Sequence, residues 1–194
     1  MATVTTRPMT ADEFFAWANH PENQDRLWEL ERGEVVEMPS PGELHGILCG
    51  FLAHLLWSYV LRRGRGGAVS SNDTGLLVEE GPDTVRGPDL MLFDESLPLD
   101  QLSRKYTRRI PRLVVEVRSP TDQPTKMTKR AGQYLVRGVP LVWLVDPEVR
   151  SVTVCRSDRF PRVLDETDEI TGEDVLPDLR FRVAEFFTLP GSPS

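Results

Sequence analysis

Apolar residues between positions 43 and 62 recur at three- and four-residue spacing: Leu44, Ile47, Leu48, Phe51, Leu52, Leu55, Leu56, Tyr59 and Val60. That period marks one face of a helix, and the spacing predicts a long helix over 43–62. The tract Arg62-Arg-Gly-Arg-Gly-Gly67 stops it. Upstream, Thr10-Ala-Asp-Glu13 has the reciprocal capping pattern and opens a short helix carrying Phe14, Phe15 and Trp17, which ends before Pro21. Leu27-Trp-Glu-Leu30 and Glu34-Val-Val-Glu-Met38 flank the turn Glu31-Arg-Gly33 and read as a β-hairpin. Strands are expected at 68–80, 88–94 and 111–118, then a helix over 123–137 broken by Gly138. Residues 139–146 are nearly all apolar, which places that strand centrally in a sheet. A hairpin at 150–155 and 160–165 and a short helix near 182–187 follow. Residues 1–8 and 190–194 read as tails around one domain, 9–189. The order of elements predicts an α+β fold with a mixed central sheet flanked by helices.

A length of 194 residues suits one domain and buries about two-thirds of the unfolded surface without a disulfide or zinc staple. The 39% apolar content, with four Trp and eight Phe, excludes a disordered chain. Two cysteines, Cys49 and Cys155, exclude a zinc finger or a disulfide framework, and three histidines exclude a His-rich metal site. No basic-then-apolar leader and no run of 18 apolar residues is visible, so a cytoplasmic protein without a membrane partner is expected. The net charge of −7 argues against a general polyanion binder. The distribution changes that picture. Segment 101–137 holds ten basic residues against Glu116 and Asp122, a net of +8 in an acidic chain. It reads either as solvated surface or as a stretch that holds backbone phosphates.

Two acids sit where strand patterning disfavours them. Asp89 follows Pro88 and precedes Leu-Met-Leu-Phe93, and Glu116 interrupts Leu113-Val-Val and Val117. A buried carboxylate costs several kcal/mol unless it is paired or bound to a metal. Alternation puts Val114, Glu116 and Arg118 on one face and Leu113, Val115 and Val117 on the other. If the two strands are neighbours, about 4.8 Å apart, both carboxylates reach one divalent cation. The same pattern fits a structural ion pair of Glu116 with Arg118 or a lysine.

Gly87-Pro-Asp89 followed by Val115-Glu-Val-Arg-Ser-Pro120 is similar to the PD-(D/E)XK nuclease signature. With Trp28-Glu-Leu-Glu-Arg-Gly-Glu34, His45, Tyr134, Gly138-Val-Pro-Leu-Val-Trp-Leu-Val-Asp-Pro147, Thr171-Gly-Glu-Asp-Val-Leu-Pro177 and the stretch from Phe181 to Phe187, nearly the whole chain resembles the Uma family of that superfamily. The resemblance implies a restriction-endonuclease-like core and an endonuclease that hydrolyses DNA with water activated by Mg²⁺ or Mn²⁺. It implies Asp89 and Glu116 as metal ligands with the Val117 carbonyl, Glu29 as a third carboxylate, and His45 facing the cleft. The signature's lysine is missing: Arg118 stands two residues after Glu116, and an arginine is a poor base. In the family this lysine is often displaced onto the next helix, where Arg130 occupies the family position. Lys129 beside it is expected to supply the third catalytic group, with Arg118, Lys126 and Arg130 holding nucleic acid. A homodimer would suit symmetric double-strand cutting. The alternatives are a non-catalytic nucleic-acid-binding or interaction module with a degraded site, and a structural protein with a buried Asp–Glu–Lys network. Tyr134 and Trp143 read as core, Asp146 as a turn former, and Cys49 as packing.

Overall fold

The computed structural model describes residues 7–120 and 122–191; the rest of the two expected tails, 1–6 and 192–194, lies outside the described residues. Helix α1 (Ala11–Ala18) starts at Thr10, whose side chain accepts from the Glu13 amide while Glu13 reaches back to the Thr10 backbone. The hairpin follows as β1 (Leu27–Glu31) and β2 (Glu34–Met38), and then α2 (Glu43–Arg63) runs to Gly64. The single strand expected over 68–80 is two. β3 (Ala68–Ser70) and β4 (Leu76–Glu79) belong to different sheets, and the chain turns between them through Asn72 and Asp73 at positive φ. A three-residue strand that patterning did not signal, β5 (Thr84–Arg86), precedes β6 (Leu90–Phe93) and β7 (Leu113–Val117).

Helix α3 (Pro124–Arg137) begins on a proline, whose missing N–H costs nothing there. It ends where Gly138 turns left-handed at φ 104°, with Gly138 and Val139 amides returning to the Leu135 and Tyr134 carbonyls. That wrap consumes Val139, so β8 is shorter than expected (Val142–Asp146). β9 (Ser151–Cys155) and β10 (Arg162–Leu164) form the next hairpin. β11 (Glu169–Thr171), β12 (Arg180–Arg182) and α4 (Val183–Phe186) close the described chain.

The main sheet has the order β10-β9-β8-β7-β6-β3; β7 and β8 are parallel and the other pairs antiparallel. A parallel pair needs a crossover, and α3 is that crossover. The second sheet, β2-β1-β5-β4, is antiparallel throughout. Packing follows the period of two. Leu113, Val115 and Val117 of β7 join Leu90, Leu92 and Trp143 beneath Leu48, Leu52, Leu56 and Tyr59 of α2. Val114 joins Met91 and Val142 beneath Ala131 and Tyr134 of α3. A third cluster, Phe14, Leu30, Leu77 and Val85, ties α1 to the small sheet. Gly87, Pro88 and Asp89 carry the chain from β5 in one sheet to β6 in the other, and the polar residues gather at that junction.

Candidate active site

Leu90 stands opposite Val115 and Met91 opposite Val114 in the β6–β7 pair. One more step of the same register sets Asp89 opposite Glu116. The backbone ladder ends there, and the Asp89 carboxylate takes its place: the Val117 amide donates to Asp89 Oδ2 at 2.6 Å. Because a strand residue points its N–H and C=O to the same side, the Val117 carbonyl lies on that edge too. The other oxygen, Oδ1, lies 3.2 Å from Nε2 of His45 in the first turn of α2. This contact with Asp89 raises the His45 pKa above its usual value, against the opposing effect of burial.

Glu116 faces α3. Its Oε1 accepts from the Tyr134 hydroxyl and lies 3.3 Å from Arg130 Nε. Arg130 extends further to Glu29, with Nη2 2.5 Å from Oε1 and Nη1 3.3 Å from Oε2. Glu29 also accepts from Arg86 Nη1 and from the Gly87 amide, each at 2.9 Å. Arg86, only 4% exposed, is shared with Gln133 Oε1 at 2.9 Å and Glu31 at 3.1 Å. The result is one network, Glu29–Arg130–Glu116–Tyr134, flanked by Arg86 and Gln133. Asp73 stands at its rim: the residue is open to solvent, yet desolvation of its carboxyl and the charge of Asp89 push its pKa up. A Cβ at Gly87 would lie 3.0 Å from the Asp73 Cβ and carbonyl oxygen, so glycine there lets the two loops approach.

The electrostatics follow from burial. Glu116 is pushed up to about 7, chiefly by desolvation, with Arg130 opposing and Asp89 adding to the rise. Burial by itself would lower the Arg130 pKa, but Glu116, Tyr134 and Glu29 hold it above the ordinary value. Cys49, one helical turn after His45, has its Sγ 3.6 Å from His45 Nδ1. Its thiol is pushed up by burial and by Asp89, Asp73 and Glu116.

The structure brings Asp89, Glu116, Val117, Glu29 and His45 to one junction. Lys129 is a correction: it pairs with Glu31, its side chain is 59% exposed, and it does not reach Glu116. Arg130 does, because residues 127, 130 and 134 fall on one helical face, with Met127 and Tyr134 buried there. Lys129 is one 100° step off that face and Lys126 is exposed. Arg118 turns along the sheet to Asp146, 2.7 Å away, so Asp146 both braces Arg118 and accepts the Glu148 amide in the turn. Tyr134 is core, as expected, but its hydroxyl serves Glu116.

The basic stretch is also less free than its composition implied. Among the described residues, seven of its ten cations have an acidic partner: Lys105, Arg108, Arg112, Arg118, Lys129, Arg130 and Arg137. Arg109 lies 4.5 Å over the Phe93 ring, and Arg104 and Lys126 are exposed. Sequence reasoning missed Arg86, Asp73 and Gln133. Arg86 had a signal, a charge in Thr84-Val-Arg86 beside the Gly-Pro-Asp motif; Asp73, in a turn, had none.

The chain matches the model of the Uma2 family, described as "Putative restriction endonuclease", over residues 11–184. Among solved structures it is similar to an Anabaena variabilis protein described as "a putative nuclease belonging to DUF820", with a TM-score of 0.76 and 22% identity over 93% of this chain and 98% of that one. That likeness shows a restriction-endonuclease-like fold. No curated protein matches.

Proposed function

The chain belongs to the Uma2 family, and from that premise we propose that it is an endonuclease that hydrolyses DNA phosphodiester bonds with a divalent cation, Mg²⁺ or Mn²⁺. The observation that carries this reading is the placement of Asp89 opposite Glu116 at the end of the β6–β7 pair, both under a tenth exposed. The donor set suits a hard cation. Four carboxylates, Glu29, Asp73, Asp89 and Glu116, interact around two guanidiniums, Arg86 and Arg130, so the junction carries excess negative charge. Carboxylate and carbonyl oxygens are what Mg²⁺ and Mn²⁺ take. Asp89 and Glu116 hold the cation in this reading, with the Val117 carbonyl on the same edge.

The bound cation supplies acidified water and neutralises charge on the non-bridging phosphate oxygens. The chain's own residues do the rest. The Val117 amide and His45 fix the two oxygens of Asp89. Tyr134 fixes Glu116. Arg130 supplies the positive charge that a lysine has in the signature; it keeps its proton, so it stabilises phosphate charge and is not a base. Exposed Arg104 and Lys126 are left to meet the DNA backbone. For double-strand cutting the reading includes a homodimer, which light scattering measures.

The test is cleavage of plasmid and linear DNA by metal-stripped protein with Mg²⁺ or Mn²⁺ restored. Cleavage that Asp89→Asn and Glu116→Gln each lower by about 10²-fold or more is the expected result. Wild-type protein that cleaves no DNA with either ion overturns the reading. One observation favours a second reading, a nucleic-acid-binding or interaction module without hydrolysis: Arg130 already pairs with both Glu29 and Glu116. DNA binding that weakens steeply with salt, without cleavage, would support it.

A further inference from the structure

His45 and Cys49 are one turn apart on α2, so their side chains leave the same face. Asp89 meets them from the β5–β6 junction. His45 Nε2 lies 3.2 Å from Asp89 Oδ1 and 3.9 Å from Cys49 Sγ, and one ligand atom from each of the three lies within 4.8 Å of the others. Around a tetrahedral zinc, bonds of about 2.3 Å to sulfur and about 2.0–2.1 Å to nitrogen and oxygen place neighbouring ligand atoms about 3.4–3.6 Å apart. The observed spacings bracket that value, so small side-chain rotations complete the set.

We propose that Cys49, His45 and Asp89 form a site for a thiophilic divalent cation, Zn²⁺ above all. It shares Asp89 with the nuclease site, so that filling it withholds that carboxylate from catalysis. The second half of the proposal rests on the nuclease reading; the site itself does not.

The donor chemistry separates the two cations. A thiolate, an imidazole and one carboxylate are the borderline-soft set that Zn²⁺ takes and Mg²⁺ does not. Mg²⁺ prefers the oxygens of Asp89, Glu116 and Val117. Access is present, since the His45 and Asp89 side chains are 13% and 9% exposed and Cys49 is partly exposed. The Val117 amide already holds Asp89 Oδ2, which leaves Oδ1 to the metal and orients it, as outer partners of metal ligands do.

Two other uses of Cys49 fit less well. Nearby carboxylates and burial disfavour a free thiolate, so the Cys–His–Asp arrangement is not a primed nucleophile. The same negative surroundings favour a cation. Cys155 is buried in the cluster under α3 and is no disulfide partner for Cys49, which packs with the α2 cluster. On metal binding the S–H bond of Cys49 breaks and the proton that His45 Nε2 holds toward Asp89 is given up; both protons leave to solvent, and the sulfur and Nε2 lone pairs form the metal bonds. Three protein ligands leave a fourth position open.

Co²⁺ is the probe, because a cobalt–thiolate bond gives a near-ultraviolet charge-transfer band. Metal-stripped full-length protein is titrated with Co²⁺ and then with Zn²⁺ as competitor. The expected result is one equivalent of the band, removed by one equivalent of Zn²⁺ and untouched by millimolar Mg²⁺. Cys49→Ser should abolish the band, and its Zn²⁺ affinity should fall by more than the 10–100-fold that losing an outer partner costs. Cys155→Ser and Glu116→Gln should keep the band, and Glu116→Gln keeps it even though it removes a ligand of the nuclease reading. Circular dichroism checks the fold of each variant, and His45→Asn serves as a second test should Cys49→Ser misfold. With DNA and Mg²⁺, a small molar excess of Zn²⁺ over the protein should inhibit wild type at least 10-fold more strongly than Cys49→Ser. No thiolate band in wild type, or a band that survives Cys49→Ser and vanishes in Cys155→Ser, overturns the site. A band without zinc inhibition of an active enzyme overturns the shared role of Asp89. A band in a protein that cleaves nothing leaves the metal site standing and sinks only the nuclease reading.

Discussion

The two faces of the main sheet are built from the same strands yet differ in kind. Leu113, Val115 and Val117 of β7 enter an aliphatic layer under α2, where Leu48, Leu52 and Leu56 meet Leu90, Leu92 and Trp143. Val114 and Glu116, the alternate residues, enter a layer under α3 that is apolar around Ala131 and Tyr134 and charged at Glu116 and Arg130. The dry face holds itself together by burial. The charged face must satisfy each carboxylate, and it does so with Tyr134 and Arg130 on Glu116 and with Arg86, Arg130 and the Gly87 amide on Glu29. A period of two therefore lets one strand serve a dry core and a charged cluster at once. The cost of the cluster is concentrated in few groups, while that of the dry face is spread over many.

The largest effect should come from breaking the charged face. Arg130→Met leaves Glu29 and Glu116 without their shared cation and should destabilise the metal-free protein by about 3–5 kcal/mol in urea unfolding. Leu52→Ala on the dry face should cost about 2–5 kcal/mol. The two should part when Mg²⁺ or Mn²⁺ is added: the cation should raise the melting temperature of Arg130→Met and leave Leu52→Ala with its full deficit. If the cation leaves the deficit of Arg130→Met relative to wild type as large as that of Leu52→Ala, it does not take over the charge that Arg130 supplies.

Next in size is Asp89→Asn, which keeps the shape of the side chain and removes its charge. It should lower DNA cleavage about 10²–10³-fold, comparable to losing one preorganised electrostatic group, with an unchanged circular dichroism spectrum. Wild-type rates in this variant would remove Asp89 from the proposed chemistry.

A pH effect of a few kcal/mol should follow from Glu116. Its folded pKa is raised from 4.5 to about 7, so folding takes up a proton in that interval. The stabilisation is full below about 4.5 and is lost as pH rises through about 7. In chelator, wild-type urea midpoints should fall relative to Glu116→Gln between pH 5 and pH 8, since glutamine mimics the protonated form. Parallel curves for the two proteins would show that Glu116 is ionised throughout.

The smallest effect should be Lys129→Ala. Its partner Glu31 lies at the rim and the lysine is mostly exposed, so the pair is worth about 1 kcal/mol or less and cleavage should stay within about two-fold of wild type. A loss of cleavage comparable to that of Asp89→Asn would return Lys129 to the centre of the mechanism.

Much of the fold was legible from local patterning. The capping pattern at Thr10, helix α2, the hairpin β1–β2, helix α3 with Gly138, and the apolar run that became β8 all appear where patterning placed them, although Leu44 and Ile47 of the α2 stripe are exposed. Asp89 and Glu116 were legible for a related reason: a charge inside an apolar strand is an exception that local rules do not explain. The short strands were not. β5, β11 and β12 have three residues each, too few to show a period, and they form because a partner strand supplies their hydrogen bonds. The break between β3 and β4 depends on two sheets competing for one stretch of chain.

The choice between Lys129 and Arg130 shows where local information ends. The two are adjacent, both basic and both on α3, and their sequence differs little in what it asks of the helix. Tertiary structure separates them, because the phase of α3 over β7 and β1 turns one toward Glu29 and Glu116 and the other toward Glu31. In the same way Asp89 joins His45 and Cys49 only when the β5–β6 junction reaches the first turn of α2. Hydrophobic burial is a property of each segment's own spacing, so the sequence carries it locally. Charge-assisted hydrogen bonds and metal-ligand bonds need their partners within about 2–3 Å, so which charges pair is decided only when distant segments are packed against one another.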